Sequence, residues 1–359
     1  VCEEAHRYAP ADKKIGFGPT RRALSRIAKE GRKYGVFLGL VTQRPAEIDA
    51  TNDVVVANLI MAAFLSGDLT KALPIAESFA HTAKSELLRD VANATTALIL
   101  ISLDGDLSHA AGLFDALAER CHRDGLAHFE GVSLLNGGLA ARARGRFDTA
   151  LDYSARAIDL LAASSSGSEL ASAYYLRASV LGLLGDLRGA RQTFTDAGGS
   201  TRHGARTEFL VEFAELEMQF GDERASEEML LSVDDSVPSA MGVIHSVALA
   251  GLDIRRGRLL DADSRLSSID PSRPTNYCGH LSRVMAYKAV VDTLLQRDGA
   301  EEACQRAVAH ASRQDALLWR ELATVALAAL HGQLNSALTN IPASLRCVVS
   351  LSAEIVVEN

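Results

Sequence analysis

Paired cysteines, aromatic residues and long apolar runs are all scarce in this chain of 359 residues. Its five cysteines, at positions 2, 121, 278, 304 and 347, include no Cys-x-x-Cys pair. Because a disulfide framework is typical of short secreted chains, we expect reduced, mostly buried thiols in a cytoplasmic protein. No apolar run reaches the roughly eighteen residues that a membrane helix needs, and no signal peptide is evident, so no membrane partner is expected.

Common catalytic and metal-binding motifs are also missing. The sequence has no G-x-S-x-G, no H-E-x-x-H and no complete dinucleotide-binding G-x-G-x-x-G, so the usual signatures of several enzyme classes are absent. Cys278-Gly279-His280 comes nearest to a pair of metal ligands, but no second pair lies at ligand spacing. We therefore expect no metal site.

What the sequence does contain is a recurring turn. Its skeleton is a glycine, a polar residue, an apolar residue, and an alanine five positions after the glycine. The full copies are built on Gly67, Gly105, Gly145, Gly185, Gly257 and Gly332, and degenerate copies on Gly221 and Gly299. The eight glycines are 33 to 42 residues apart, a spacing that indicates a repeat array.

The physics of one repeat explains this skeleton. A glycine just past a helix can adopt the left-handed conformation that ends it, and the next polar residue can start a second helix running back. The alanine lets the two helices approach closely, which suits a composition that is 48% hydrophobic but only 5% aromatic. One such hairpin cannot bury its apolar face alone, so the hairpins are expected to stack.

This skeleton resembles the tetratricopeptide repeat (TPR) family in a longer-period form, over about residues 54–341. The resemblance implies a mainly α fold, a right-handed α-solenoid of helical hairpins that serves as a protein–protein interaction scaffold. Such solenoids bind a protein or peptide partner in a groove formed by the first helices of the hairpins. Tyr174, Tyr175 and Arg177 are candidate groove residues, and the alternative for at least one tyrosine is a place in the hairpin core.

Two further segments, an acidic helix face and the end of the chain, have no enzyme motif. Glu208, Glu212 and Glu215 are predicted to share one helix face, and such an acidic stripe is usually a solvated face, with partner binding as the alternative. The last residues, 342–359, carry no repeat signature and are predicted to form an irregular tail.

The first 51 residues differ from the rest in charge and in pattern. They hold ten Lys or Arg against six acids, a net +4, which leaves −12 for the remainder. The acid pair Glu3-Glu4 is predicted to lie at the end of a first strand, and it precedes a predicted helix that begins near Thr20. A continuous apolar run over 36–42 follows and predicts a buried parallel strand that ends at the polar Gln43. Both polar strand ends would face the same rim of a parallel sheet, where ligands bind.

This head resembles the HerA/FtsK group of hexameric DNA-translocating ATPases from the Walker B motif onward, in three blocks: 3–10, 27–36 and 41–49. The resemblance implies a truncated α/β, P-loop NTPase-like piece. It assigns Glu3 to Mg²⁺ through water, Glu4 to catalysis and Gln43 to sensing the γ-phosphate. Arg32 is a candidate arginine finger.

The head also departs from that group. The chain has no G-x-x-x-x-G-K-[ST], and the dipeptide Gly-Lys is absent throughout, so nothing is present to hold the phosphates. We therefore expect no cofactor for this chain alone. ATP, Mg²⁺ and DNA are expected only if the ATPase core is completed by sequence outside this chain.

The sequence is compatible with several origins and functions. A natural fusion, a truncated gene and a join between unrelated genes would each produce the abrupt change near residue 51. The function is then either that of the repeats, with the head a relic, or that of a complete HerA-type ATPase. A third reading is the sensor region of a large TPR-containing transcriptional regulator.

Overall fold

The computed structural model describes residues 69–83, 86–103, 105–163, 167–197, 205–220, 222–233, 239–269 and 280–336, and every regular element within these ranges is an α-helix. The helices are α1 (Leu69–Thr82), α2 (Glu86–Ser102), α3 (Leu107–Arg123), α4 (Ala127–Ala143), α5 (Phe147–Ala162), α6 (Gly167–Leu183), α7 (Leu187–Ala197), α8 (Ala205–Phe220), α9 (Glu223–Leu231), α10 (Ser239–Arg255), α11 (Leu259–Ser267), α12 (His280–Leu294), α13 (Ala300–Gln314) and α14 (Leu317–Leu330). The fold is therefore mainly α, as predicted. The head (1–51), its junction with the repeats and the tail (342–359) lie outside the described residues.

The chain divides into two compact units, residues 1–103 and 104–359. In the first unit, α1 and α2 pack against each other around a cluster rich in alanine. The buried members of this cluster are Leu69, Ala72, Ala76, Phe79, Ala83, Ala92 and Ile99. The second unit contains α3 to α14.

Glycines end the helices where the repeat pattern places them. Five of the eight predicted turn glycines are left-handed, with φ between +67° and +87°: Gly145, Gly185, Gly257, Gly299 and Gly332. After Gly145 the backbone N–H groups of 145 and 146 donate to the carbonyls of Arg142 and Ala141 at 2.9 and 2.8 Å, which satisfies carbonyls at the end of α4. Gly125 is also left-handed, at the turn between α3 and α4, and the pattern did not predict it.

The polar residue after the glycine caps the following helix in several copies. Asp106 accepts hydrogen bonds from the backbone N–H groups of Ser108 and His109, at 2.8 and 3.0 Å. Asp222 caps α9 in the same way, and Asp186 accepts a bond from the N–H of Gly189. Each such cap stabilises its helix by about 1 kcal/mol. The predicted start of the second helix is thus confirmed at these turns.

The alanine of the skeleton lies in the hairpin core. Every full-copy alanine that the structure describes is fully buried, namely Ala72, Ala110, Ala150, Ala190 and Ala262. Helices that precede a recurring glycine in the second unit are here called first helices: α4, α6, α8, α10, α12 and α14. Neighbouring first helices pack against one another, and a helix such as α4 is buried on several sides. The second helices, such as α5, bury one face and expose the other.

Polar contacts between residues about one repeat apart in the sequence connect successive hairpins. Arg255 donates to Glu223 at 2.9 Å, and Arg297 donates to Asp263 at 2.6 Å. Arg297, together with Lys288, holds the pKa of the Asp263 carboxyl well below its ordinary value. These cations therefore favour the ionised carboxylate between α11 and α12.

Another contact of this kind gives a testable pH dependence. The Tyr153 hydroxyl in α5 donates to Oδ1 of Asp115 in α3 at 2.8 Å. Burial and this carboxylate raise the pKa of Tyr153 to about 12. Because the neutral phenol is favoured by folding, this stabilisation is fully present below the unfolded pKa, about 10, and is lost as the pH rises through about 12.

We expect an ultraviolet titration to show one tyrosine that ionises near pH 12 and is missing from Tyr153→Phe. The same substitution should lower the free energy of unfolding at pH 7 by about 1 kcal/mol, because it leaves the Asp115 carboxylate without this donor. Identical high-pH titrations of the two proteins would contradict the assignment.

Two other predictions concern residues of the described helices. Cys121 and Cys304 are buried and reduced, in agreement with the prediction for the thiols, and the other cysteines lie outside the described residues. None of the helices described is both long enough and apolar enough to cross a lipid bilayer.

Candidate functional site

The candidate groove residues lie in the middle of α6. Tyr174, Tyr175 and Arg177 all have half-buried side chains. Residues three apart share a helix face, so Tyr174 and Arg177 lie together, while successive residues are turned by about 100°. The two tyrosines therefore point in different directions.

Tyr175 is held by an arginine of the preceding hairpin. Nη1 of Arg142, in α4, donates to the Tyr175 hydroxyl at 3.1 Å and to Oγ of Ser179 at 2.9 Å. The guanidinium carbon also lies 5.6 Å from the centroid of the Tyr175 ring, which is the range of a cation–π contact. Tyr175 and Ser179, four residues apart on α6, thus form a connection between α4 and α6.

Tyr174 and Arg177 have no such connection. Neither side chain has a hydrogen bond or ion pair with the described part of the chain. A half-buried tyrosine beside an arginine without an acidic partner has the character of the residues that anchor protein interfaces. The structure thus distinguishes Tyr175, which connects two helices, from the adjacent Tyr174 and Arg177, whose side chains make no such contact with the described residues.

A second polar cluster joins three other first helices. Glu215 in α8 accepts a hydrogen bond from Nη2 of Arg283 in α12, and both residues are buried. The guanidinium carbon of Arg283 lies 5.3 Å from the ring centroids of both Tyr287 and Trp319. These two rings stand edge to face with centroids 6.0 Å apart. We name this set, Glu215, Arg283, Tyr287 and Trp319, the buried brace.

The buried brace corrects one prediction. The acidic stripe of α8 was expected to be solvated, which is wrong for Glu215, because its carboxylate is the partner of a buried guanidinium. The side chains of Glu208 and Glu212 lie outside the described set. An arginine that is paired with a carboxylate and packed against two aromatic rings supplies neither a nucleophile nor a general base, so we interpret this cluster as structural.

A cleft of about 270 Å³ lies between α11, α12 and α13. Its wall is mostly apolar and includes Leu266, Val284 and Met285, with Lys288 at its polar side. Lys288 is neutralised by the carboxylates of Asp263 and Asp292. The cleft therefore offers no unpaired charge from Lys288 to fix the orientation of a ligand.

The predicted catalytic residues Glu3, Glu4, Arg32 and Gln43 all lie outside the described residues, as does the Mg²⁺ contact assigned to Glu3. Their roles stay predictions. Within the described ranges, no group of three or more His, Cys, Asp or Glu side chains is placed to bind a metal ion.

Sequence reasoning missed Arg142 and the Glu215–Arg283 pair. A signal for Arg142 was present, because it lies 33 residues before Tyr175 and 37 before Ser179, close to one repeat period. Glu215 and Arg283 are 68 residues apart, and nothing in one repeat identifies them as partners.

Comparisons with known proteins connect part of the chain to helicases, while no protein-family model matches it. It is 36% identical over 98 residues to a probable helicase of Methanocaldococcus jannaschii, and 51% identical over 51 residues to a second probable helicase of that organism. It is 45% identical over 49 residues to the DNA double-strand break repair helicase HerA of Pyrococcus furiosus. These matches cover 27%, 14% and 14% of the chain and 17%, 9% and 8% of the relatives. The chain thus spans less than a fifth of each relative, and its similarity to helicases is confined to short segments.

Proposed function

We propose that this chain is an interaction scaffold of TPR-like hairpins attached to a remnant of a HerA-like, ATP-dependent DNA translocase. The scaffold part is a right-handed α-solenoid, and it binds a protein or peptide segment at Tyr174 and Arg177 of α6. The observation that carries this proposal is the regular turn, in which a left-handed glycine, a capping polar residue and a buried alanine recur from hairpin to hairpin.

The local geometry of α6 supports this surface. Arg142 fixes Tyr175 and Ser179, so one side of α6 is already connected to α4. The neighbouring face with Tyr174 and Arg177 is then held rigidly, and a rigid aromatic anchor loses little conformational entropy on binding. Arg177 would pair with a carboxylate or a carbonyl of the partner.

We expect the substitutions Tyr174→Ala and Arg177→Ala, made together, to abolish capture of specific partners, because they remove the anchor and its charge. The measurement is quantitative mass spectrometry of proteins retained by the immobilised chain. Arg224→Ala is the matched control, since Arg224 is exposed and its side chain pairs with Glu228, four residues on in the same helix. If the double variant retains the same proteins as the control, α6 is not the binding surface.

The alternative is that the chain is part of a functional HerA-type ATPase whose phosphate-binding half lies outside it. Support comes from the short similarity to helicases, which reaches 51% identity over 51 residues for one of them. In that case Glu3, Glu4, Arg32 and Gln43 would act in a complete ring with ATP, Mg²⁺ and DNA.

We expect this chain alone neither to bind nor to hydrolyse ATP appreciably, because it lacks the phosphate-binding loop and the lysine that belongs to that loop. A calorimetric titration with ATP and Mg²⁺ measures this directly. Saturable, Mg²⁺-dependent binding that is weakened by Glu3→Gln would contradict the expectation and favour the enzyme alternative.

A further inference from the structure

The last described helix of the second unit connects two hydrophobic cores. Leu318 and Val325 of α14 are buried in a cluster with residues of α3, α4, α5 and α6. Trp319 packs against this cluster and also against a second one formed by residues of α10 to α14. Helix α14 therefore stacks on its neighbours α12 and α13, and two of its side chains belong to a core formed by helices more than 130 residues earlier.

A polar contact holds the beginning of α14 in this position. Nε of Arg144, just after α4, donates to Oδ2 of Asp315, just before α14, at 2.6 Å. Nη2 of Arg144 also donates to Oγ of Ser108, at the start of α3, at 3.1 Å. Asp315 has φ +60°, a left-handed conformation that aspartate tolerates better than most side chains. One guanidinium thus connects three helices.

This contact differs from the buried brace in its access to water. The Asp315 side chain is 40% exposed and that of Arg144 19%, whereas Glu215 and Arg283 are 11% and 9% exposed. The charge partner of Arg283 lies on α8 and not on α14, so displacement of α14 would remove an aromatic face from Arg283 but leave its ion pair intact. Because the Arg144–Asp315 pair is partly exposed, water and salt can solvate the two charges when the pair breaks.

We propose that α14 is a closing helix and that the Arg144–Asp315 pair is its latch. In the closed form, Leu318 and Val325 are buried in the cluster that they share with residues of α3 to α6. Release of the latch frees α14 from this cluster and exposes Leu318 and Val325 to water. This inference depends on the fold of the second unit and not on the proposed contact at Tyr174 and Arg177.

The test is a double-mutant cycle with Arg144→Gln and Asp315→Asn in the full chain. Asparagine keeps the tolerance of a left-handed conformation, so Asp315→Asn removes the charge without adding backbone strain. Trp319 is the single tryptophan of the chain, so its fluorescence reports on α14 directly. Hydrogen exchange of residues 317–326 measures opening independently.

We expect each single substitution to shift Trp319 emission to longer wavelength and to raise exchange in 317–326 by about fivefold, as for a partly exposed ion pair. The double substitution should add nothing further, because both singles remove the same contact. Far-ultraviolet circular dichroism should stay unchanged, and Arg224→Gln should behave like the unsubstituted chain.

Additive effects of the two substitutions, unchanged Trp319 emission, or loss of helical signal in either single variant would each overturn the latch. The last result would mean that the pair holds the whole unit together. Failure of the partner-capture experiment with Tyr174 and Arg177 would leave these measurements unaffected, so the two proposals fail separately.

Discussion

Glu215→Ala is expected to lower the free energy of unfolding of the second unit by about 3 kcal/mol, because it leaves the Arg283 guanidinium buried without its counter-charge. Arg283 is only 8% exposed, and its Nε already has no hydrogen-bond partner within the described part of the chain. For a unit of this size, the loss corresponds to a fall in Tm of roughly 6–12 °C. Thermal unfolding followed by circular dichroism measures it.

The control for this experiment is Glu228→Ala, which breaks an exposed i,i+4 pair with Arg224 and should cost less than about 0.5 kcal/mol. Replacing both members of the buried pair, as Glu215→Leu with Arg283→Met, should recover most of the loss, since no unpaired charge remains. Equal Tm values for Glu215→Ala and Glu228→Ala would show that the buried pair contributes nothing to stability.

Gly182→Leu is expected to destabilise the second unit by about 2 kcal/mol through overpacking between α6 and α8. A Cβ atom at this position would lie 2.6, 3.0 and 3.2 Å from Cδ2, Cδ1 and Cγ of Leu216, so the whole branched end of that side chain would have to move. Leu216 is itself buried, which leaves it little room. The expected fall in Tm is roughly 4–8 °C.

The matched control is Gly112→Leu on α3, where nothing lies within 4 Å of an added Cβ. Because leucine is the better helix former by nearly 1 kcal/mol, this variant should be as stable as the original chain or more so. Adding Leu216→Ala to Gly182→Leu should restore part of the stability by making room. If Gly182→Leu and Gly112→Leu behave alike, close approach of α6 and α8 does not require the glycine.

Much of the local structure followed from the sequence because the relevant physics acts over a few residues. A glycine such as Gly145 ends a helix through its own backbone freedom, and an aspartate such as Asp106 caps the next helix two or three positions on. The burial of Ala150 was predictable for the same reason, since its distance from the turn fixes the helix face on which it lies. These predictions needed no knowledge of the other repeats.

The candidate site was only partly predictable. The sequence identified Tyr174, Tyr175 and Arg177 as a group, but only the packing of α4 on α6 shows that Tyr175 is engaged by Arg142. For the same reason Glu215 looked like part of a solvated stripe. A helix pattern indicates which residues share a face but not what a distant helix brings against that face.

By itself, the sequence determined where the hairpin turns lie, how the second helices begin and which small residues enter the hairpin cores. Only the tertiary structure decided which first helices meet beyond their immediate neighbours. It brings Arg283 to Glu215 across 68 residues and Arg144 to Asp315 across 171. Such contacts join helices that are far apart in the sequence, and no pattern within a single helix or hairpin identifies the partners.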